Sequence, residues 1–370
     1  MTAPLSHEEL IDWIRLTRTP GIGPKTFRQL LQRFGAVGEA LAQRHVWEKQ
    51  AAGDVPTPQA AEREFAASEK AGLRYLPMTD PAYPAPLAAL EDPPPLLFVK
   101  GKLEALSVPL IAVVGARNAT VNGRKFAKML SGGLAKAGYG VISGMARGID
   151  GAAHEGALSQ GITVAVLAGG PDVIYPPEHR DLYERIAEHG AIISEMPPGT
   201  EPQASLFPRR NRIISGASVG VVVVEATLRS GSLITARFAA DQGRDVFAVP
   251  GSPLDPRAEG PNTLIREGAT LVQSLSDIID EMRVKPVVTH KISSPPEAIR
   301  QATDIPTENS HASLHQRIEA ALGPTPAAVD ELIRQCQVSP AVLAAALMEM
   351  ELAGRLERLP GNRVALIGTV

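Results

Sequence analysis

The sequence predicts an α/β fold: an extended Rossmann-like doubly wound sheet, with a small helical domain before it and a winged helix after it. Two observations carry the central assignment. Short apolar runs without polar alternation recur between residues 108 and 283, as in strands buried on both faces. Amphipathic helical patterns separate most of them, and that β-α-β-α rhythm is the signature of a mostly parallel sheet. A third concerns the ends. The chain has 370 residues, more than one ordinary core accommodates at ~100–200 residues per domain.

Taken in order, residues 1–72 read as an N-terminal helical domain. Leu10, Ile11, Trp13 and Ile14, then Phe27, Leu30, Leu31 and Phe34, follow helical spacing. Between the runs lies the tight turn Thr19-Pro20-Gly21-Ile22-Gly23-Pro24, similar to a helix-hairpin-helix or SAM-like element. Such a turn either holds a DNA phosphate on its amides or merely joins two helices. Residues 73–283 form the Rossmann-like domain with a Pro-rich lead-in, and residues 75–101 are expected to be an irregular ordered connector. The predicted strands are Leu110–Val114, Gly140–Ile142, Thr163–Leu167, Ala191–Ile193, Val219–Val224 and Asp245–Ala248. The predicted helices are Gly123–Ala137, Ala152–Gln160, Asp181–His189 and Leu233–Gln242. Residues 284–314, rich in Pro, Ser, Thr and Asn, read as a linker. Residues 315–370 read as a winged helix ending in a Gly-tipped hairpin.

Composition narrows the function. Apolar residues make up 44% of the chain, enough to build cores, and the net charge is −3, so any anion site needs local clustering of basic residues. Cys336 is the single cysteine, which precludes an internal disulfide and fits a reducing cytosol. Met1–Leu10 lacks an apolar signal core, and no apolar run approaches the ~18 residues of a membrane span. The expectation is a cytoplasmic protein with no membrane association.

The chemistry falls on three strand ends, where open parallel sheets bind ligands. Gly115–Thr120, Ser143–Asp150 and Glu225–Ser232 each combine glycine, arginine and small polar side chains, and each leads into a helix. Exposed N–H groups and the helix dipole there favour an anion. From Val114 to Asp150 six basic residues face one acid, and from Phe207 to Arg237 five arginines face one acid. Neither a Gly-x-Gly-x-x-Gly after the first of these strands nor a Walker motif is present, which lowers the weight of dinucleotide and ATP sites. Phe207-Pro-Arg-Arg-Asn-Arg212 shows no helical regularity and reads as a loop. No cofactor or metal is expected. Asp150 and His154 are four apart at a helix start but lack an evident third ligand. Glu225 reads as a partner of an arginine or of backbone N–H groups rather than a general base. Tyr175 and Phe207 either stack on bases or pack.

The chain resembles the DprA/Smf family. The resemblance is carried by Asp80-Pro-Ala-Tyr-Pro-Ala-Pro-Leu87, Val114-Gly-Ala-Arg117, Ser143-Gly-Met-Ala-Arg-Gly-Ile-Asp150 with His154, and Tyr175-Pro176. It continues through Ser194-Glu195, Phe207-Pro-Arg-Arg-Asn-Arg-Ile-Ile214, Ser230-Gly-Ser-Leu-Ile-Thr235 and Val249-Pro-Gly251. It implies single-stranded-DNA binding, dimerisation through the Rossmann-like domain and loading of RecA recombinase during natural transformation. It also implies DNA contacts at Arg117, Arg210 and Arg212, with Gly115, Ser143 and Gly144 in the pocket wall. Together with the basic loops, the candidate set also includes Arg147, Arg209, Asn211, Arg229, Ser230, Gly231 and Ser232. The competing reading is a nucleotide-processing, phosphoribohydrolase-like enzyme, whose Pro-Gly-Gly-x-Gly-Thr loop is absent. A third is a sequence-specific regulator. Against it, the candidate recognition helix from Pro340 to Ala353 has no Lys, Arg, Asn or Gln and carries Glu349 and Glu351. The C-terminal unit is therefore read as a protein-interaction module, and truncation near Pro295 is expected to leave strand binding nearly unchanged.

Overall fold

A computed structural model describes residues 5–284, 314–322 and 325–367. Most of the expected linker, 285–313, lies outside the described residues.

The N-terminal domain is helical: α1 (His7–Thr17), α2 (Pro24–Phe34), α3 (Val37–Ala42) and α4 (Pro58–Lys70). Ser6 and Glu9 form a capping box that fixes the start of α1. Trp13, Phe27 and Trp47 are the large side chains of its core. Gly21 adopts φ +84° in the turn between α1 and α2, and a Cβ there would meet the Ala52 amide nitrogen at 2.5 Å. That amide donates to the Pro20 carbonyl, so one side of the hairpin turn is packed against the chain itself.

The central domain runs β1 (Arg74–Pro77), α5 (Ala85–Ala88), β2 (Leu96–Gly101), β3 (Leu110–Gly115), α6 (Val121–Lys136), β4 (Gly140–Ser143), α7 (Ile149–Leu158) and β5 (Thr163–Val166). It continues with α8 (Arg180–His189), β6 (Ala191–Ser194), α9 (Leu206–Ala217), β7 (Gly220–Val224), α10 (Gly231–Asp241), β8 (Asp245–Ala248), α11 (Glu259–Arg266), β9 (Thr270–Leu271) and α12 (Leu275–Val284). The described strands form one sheet in the order β1-β2-β6-β5-β4-β3-β7-β8-β9. From β6 to β9 the ladder is parallel, while β1–β2 and β2–β6 are antiparallel. The lead-in is thus corrected: the segment expected to be an irregular connector contributes two antiparallel strands, β1 at the edge of the sheet and β2 between it and β6.

Alternation within the strands explains their unbroken apolar character. Ala112, Val114, Val221 and Val223 face the layer of α5, α9 and α10. Ile111, Val113, Val222 and Val224 face α6, α7 and α12. Helices α6 and α7 touch at Gly156, where a Cβ would stand 2.1 Å from the Lys128 carbonyl oxygen.

After the linker come α13 (Leu314–Ala321), β10 (Ala327–Ala328), α14 (Val329–Cys336), α15 (Pro340–Leu352), β11 (Leu356–Leu359) and β12 (Arg363–Leu366). The strands pair in the order β10-β12-β11, the wing of a winged helix. Among the described residues no helix is long and apolar enough to cross a membrane.

Candidate nucleic-acid interface

The strand order reverses at β3, which has β4 on one side and β7 on the other. The crevice outside the carboxyl ends of these strands is the ligand position of a doubly wound sheet. All three glycine-containing loops open there. The expectation of three free N–H cradles does not survive, because two already hold a carboxylate of the chain. Glu225, at φ +51°, follows β7. Its carboxylate accepts the Thr120 amide at 2.8 Å and the Thr120 hydroxyl, at the start of α6. Gly123 makes room for it, since a Cβ there would lie 2.3 Å from Oε1. Burial raises the Glu225 pKa, and the Thr120 hydrogen bonds oppose the rise. Asp150, on the first turn of α7, accepts the amides of Gly144 at 3.2 Å and Ala146 at 3.3 Å. Burial raises its pKa too, with the Arg210 guanidinium opposing. The third loop starts α10 with Ser230, whose hydroxyl accepts the Ser232 amide at 3.3 Å.

With backbone donors engaged, positive charge comes from arginine, and the structure sorts these by burial. Phe207-Pro-Arg-Arg-Asn-Arg212 is not a loop but the first half of α9. Pro208 is tolerated because the first turn of a helix needs no N–H donor there. Arg210 is 7% exposed. Its Nη1 lies 4.0 Å from Asp150, its buried Nε has no hydrogen-bond partner, and a Cβ on Gly144 would sit 1.3 Å from Nη1. Burial pulls its pKa down to about 10, so it stays cationic at neutral pH. The Phe207 ring lies beside two guanidiniums, Arg117 at 5.1 Å and Arg210 at 5.8 Å from its centroid, with Tyr175 edge-on at 6.1 Å. Tyr175, Phe207 and Arg210, with Gly144, Ala146 and Gly169, line a pocket.

Other candidates serve the scaffold. Arg212 is buried and donates to Glu195 at 2.9 Å and to the Asp92 carbonyl at 2.7 Å, tying α9 to the strand that precedes Glu195 and to the lead-in. Asn211 donates to the Gly231 carbonyl at 3.1 Å. Ser143 is buried and donates to the Val113 carbonyl at 2.7 Å, and the Ser230 and Ser232 hydroxyls bond each other. Arg147 pairs with Glu178. Arg117 and Arg229 are exposed on loops, and Arg209 is half exposed, 3.6 Å from Glu195. Sequence reasoning left Phe207 and Tyr175 undecided between packing and stacking. Arg210, three residues after Phe207 in the same motif, was the available signal, while Arg117 comes from a sequence-distant one.

Family profiles match three stretches: "DNA recombination-mediator protein A" over residues 74–283, "DprA winged helix domain" over 301–362 and "DprA-like N-terminal HHH domain" over 7–67. The chain belongs to the DprA/Smf family. It is 39% identical over 300 residues to the Escherichia coli protein Smf, covering 80% of this chain and 79% of that protein. The X-ray structure of DNA processing protein A (DprA) from Streptococcus pneumoniae is similar at a TM-score of 0.63 and 36% identity, covering 75% of this chain and 99% of that one. DNA processing protein A from Helicobacter pylori, solved for its single-stranded DNA binding mode, matches at a TM-score of 0.52 and 29% identity, over 58% of this chain and 97% of that one. DNA processing by a recombination mediator is therefore the role of the family to which the chain belongs.

In this DprA/Smf member His154 is a buried packing residue. Its Nδ1 lies 2.7 Å from the Thr163 hydroxyl and its Nε2 is buried without a partner. Burial, reinforced by His179 and Arg210, pushes its pKa down to about 3 from 6.5. The unfolded chain therefore binds a proton first, and stability falls as pH drops below the unfolded value. At ~1.4 kcal/mol per pH unit the fold loses about 2 kcal/mol by pH 5. His154→Asn is expected to flatten the urea-midpoint profile between pH 7 and pH 5. An unchanged slope in that variant would assign the acid sensitivity elsewhere.

Proposed function

We propose that this chain binds single-stranded DNA across the carboxyl ends of β3, β4 and β7, and that it acts without catalysis as a recombination mediator. The observation that carries the reading is the Arg117–Phe207–Arg210 cluster at the switch point, two guanidiniums beside one aromatic ring over a pocket. Arg117, Arg209 and Arg229 supply phosphate contacts from the rim, and Arg210 with Phe207 and Tyr175 receives a nucleotide in the pocket. With aromatics at 4% of the chain, stacking platforms are few and backbone contacts dominate. Glu225 supports the non-enzymatic reading, because its carboxylate is engaged with Thr120. We place the DNA-binding domain at residues 73–283 and assign the chain, by its family resemblance, homodimerisation through that domain and delivery of RecA onto the strand during natural transformation.

A gel shift comparing single- and double-stranded oligonucleotides tests the core of this reading, with preference for the single strand expected. Release of free base from nucleoside monophosphates by the purified protein would instead favour the phosphoribohydrolase reading. For single strands the slope of log K against log salt is about −0.7 per neutralised phosphate, so three or four contacts give about −2 to −3. Arg117→Ala is expected to weaken binding to all sequences alike, to reduce that slope by about 0.7 and to leave the fold intact, because the side chain is exposed on a loop. Affinity independent of salt would defeat a backbone-led mode.

A further inference from the structure

The winged helix is seated on the loop that carries Arg117. Gln335, in the last turn of α14, donates through Nε2 to the Ala119 carbonyl at 3.0 Å. Val121, the first residue of α6, is 4% exposed and joins the apolar cluster of Leu332, Leu343 and Leu347 in the winged helix. Arg257 in the central domain donates from Nη1 to the Ala320 carbonyl and from Nη2 to the Leu322 carbonyl, both at 2.6 Å, closing the C-terminal end of α13. The same Arg257 is held at 2.9 Å by Asp255, and its own carbonyl accepts the amide of Ala226, the residue after Glu225. The segment Ala119–Val121 is thus gripped on two sides. Glu225 holds Thr120 from within the sheet, and the winged helix holds Ala119 and Val121 from outside. Arg117 lies two residues before the grip and remains exposed, so the docked domain leaves it open to a ligand.

We infer that Gln335 and Arg257 are positioning residues for strand binding: by docking the winged helix they fix the loop that presents Arg117. This rests on the reading of Arg117 as a DNA contact. The physical basis is the entropy of a loop. A loop that is already ordered loses less freedom when a phosphate engages it, and the bound state gains accordingly. Among the described residues the interface rests on side chain–carbonyl hydrogen bonds, including those of Asn122 to the Thr325 and Pro326 carbonyls, and on the Val121 contact, each a modest contribution. Docking is therefore an equilibrium that a single substitution shifts and that a bound strand, by linkage, shifts back. The expectation that truncation near Pro295 leaves binding unchanged is revised accordingly.

The test is a double-mutant cycle in the full-length chain, read by oligo-dT affinity. Gln335→Met keeps size and neutrality while removing the donor, and Arg257→Ala releases the other side of the interface. Each is expected to weaken oligo-dT binding by about three- to tenfold, the scale of ordering about one loop residue. In the Arg117→Ala background Gln335→Met should have no further effect. Amide exchange in α14 should slow when oligo-dT saturates the wild type and not when it is added to Gln335→Met. Wild-type affinity in both single variants overturns the inference, as does an equal loss with and without Arg117. Normal binding by Arg117→Ala alone removes the site reading itself, and the coupling with it.

Discussion

Arg210→Ala is expected to lose both stability and strand binding, unlike Arg117→Ala, which should lose only binding. The guanidinium of Arg210 is buried against Gly144 and is the cation that opposes the upward pKa shift of the buried Asp150 carboxylate. Alanine leaves the buried Asp150 carboxylate without its cationic neighbour, held by the Gly144 and Ala146 amides and the Ser143 hydroxyl, and opens a void beside Phe207. Removing one partner of a buried pair destabilises by about 3–5 kcal/mol when the contact is tight. The 4.0 Å separation and the remaining amides reduce this to an estimated ~2–3 kcal/mol. The urea midpoint should fall with little change in its slope, since the surface exposed on unfolding is nearly the same. At temperatures where the variant is still folded, oligo-dT affinity should fall by at least about tenfold, the scale of one charge-assisted contact. Arg210→Lys is expected to recover more stability than binding, because an ammonium supplies charge without the planar fork that lies beside Phe207. A variant Arg210→Ala with wild-type midpoint and wild-type affinity would refute both roles at once.

The contrast between Arg117 and Arg210 also marks where the sequence stopped being legible. The strands from Leu110 to Ala248 announce themselves because both faces are largely buried, so most positions along them are apolar. Strands β1 and β2 do not. Pro77 and the run Pro93-Pro94-Pro95 resemble a connector, and their antiparallel pairing with each other and with β6 is long-range, leaving no local period. Helix α9 hid for a different reason. Its inward face includes Arg210, Asn211 and Arg212, all below 10% exposed, so hydrophobic periodicity reads charge where the fold places interior. The partners that make this burial tolerable, Asp150, Glu195 and the Gly231 carbonyl, are distant in sequence. The same distance concealed the carboxylate at the start of α6: Glu225 meets Thr120 across 105 residues. Glycine, arginine and hydroxyl residues at strand ends correctly marked the edge of the sheet that matters. Which of those groups face outward depends on contacts that no local pattern encodes.

Gly115 and Gly144 attract attention in the sequence for one shared reason, the close approach of a ligand to bare backbone. The structure separates them, and the larger effect is expected at Gly115. A Cβ there would stand 1.8 Å from the Val224 carbonyl oxygen and 2.7 Å from Ile149 Cγ1. Val224 is the ladder partner of Gly115 in the β3–β7 pair, and the next amide, Ala116, donates to the Glu225 carbonyl. Neither atom is the tip of a mobile side chain, so relief requires β3 and β7 to separate where the two central strands end. Overpacking a well-filled interior typically destabilises by about 1–3 kcal/mol, and a clash with ladder backbone belongs at or above ~3 kcal/mol on that scale. On Gly144 the obstructed atom is the end of the Arg210 side chain, which swings toward solvent. Gly144→Ala should therefore reproduce the binding loss of Arg210→Ala with a smaller loss of stability, while Gly115→Ala should appear chiefly as a lowered urea midpoint. Equal midpoints for Gly115→Ala and the wild type would return Gly115 to the ligand-approach role and place the close β3–β7 contact in doubt.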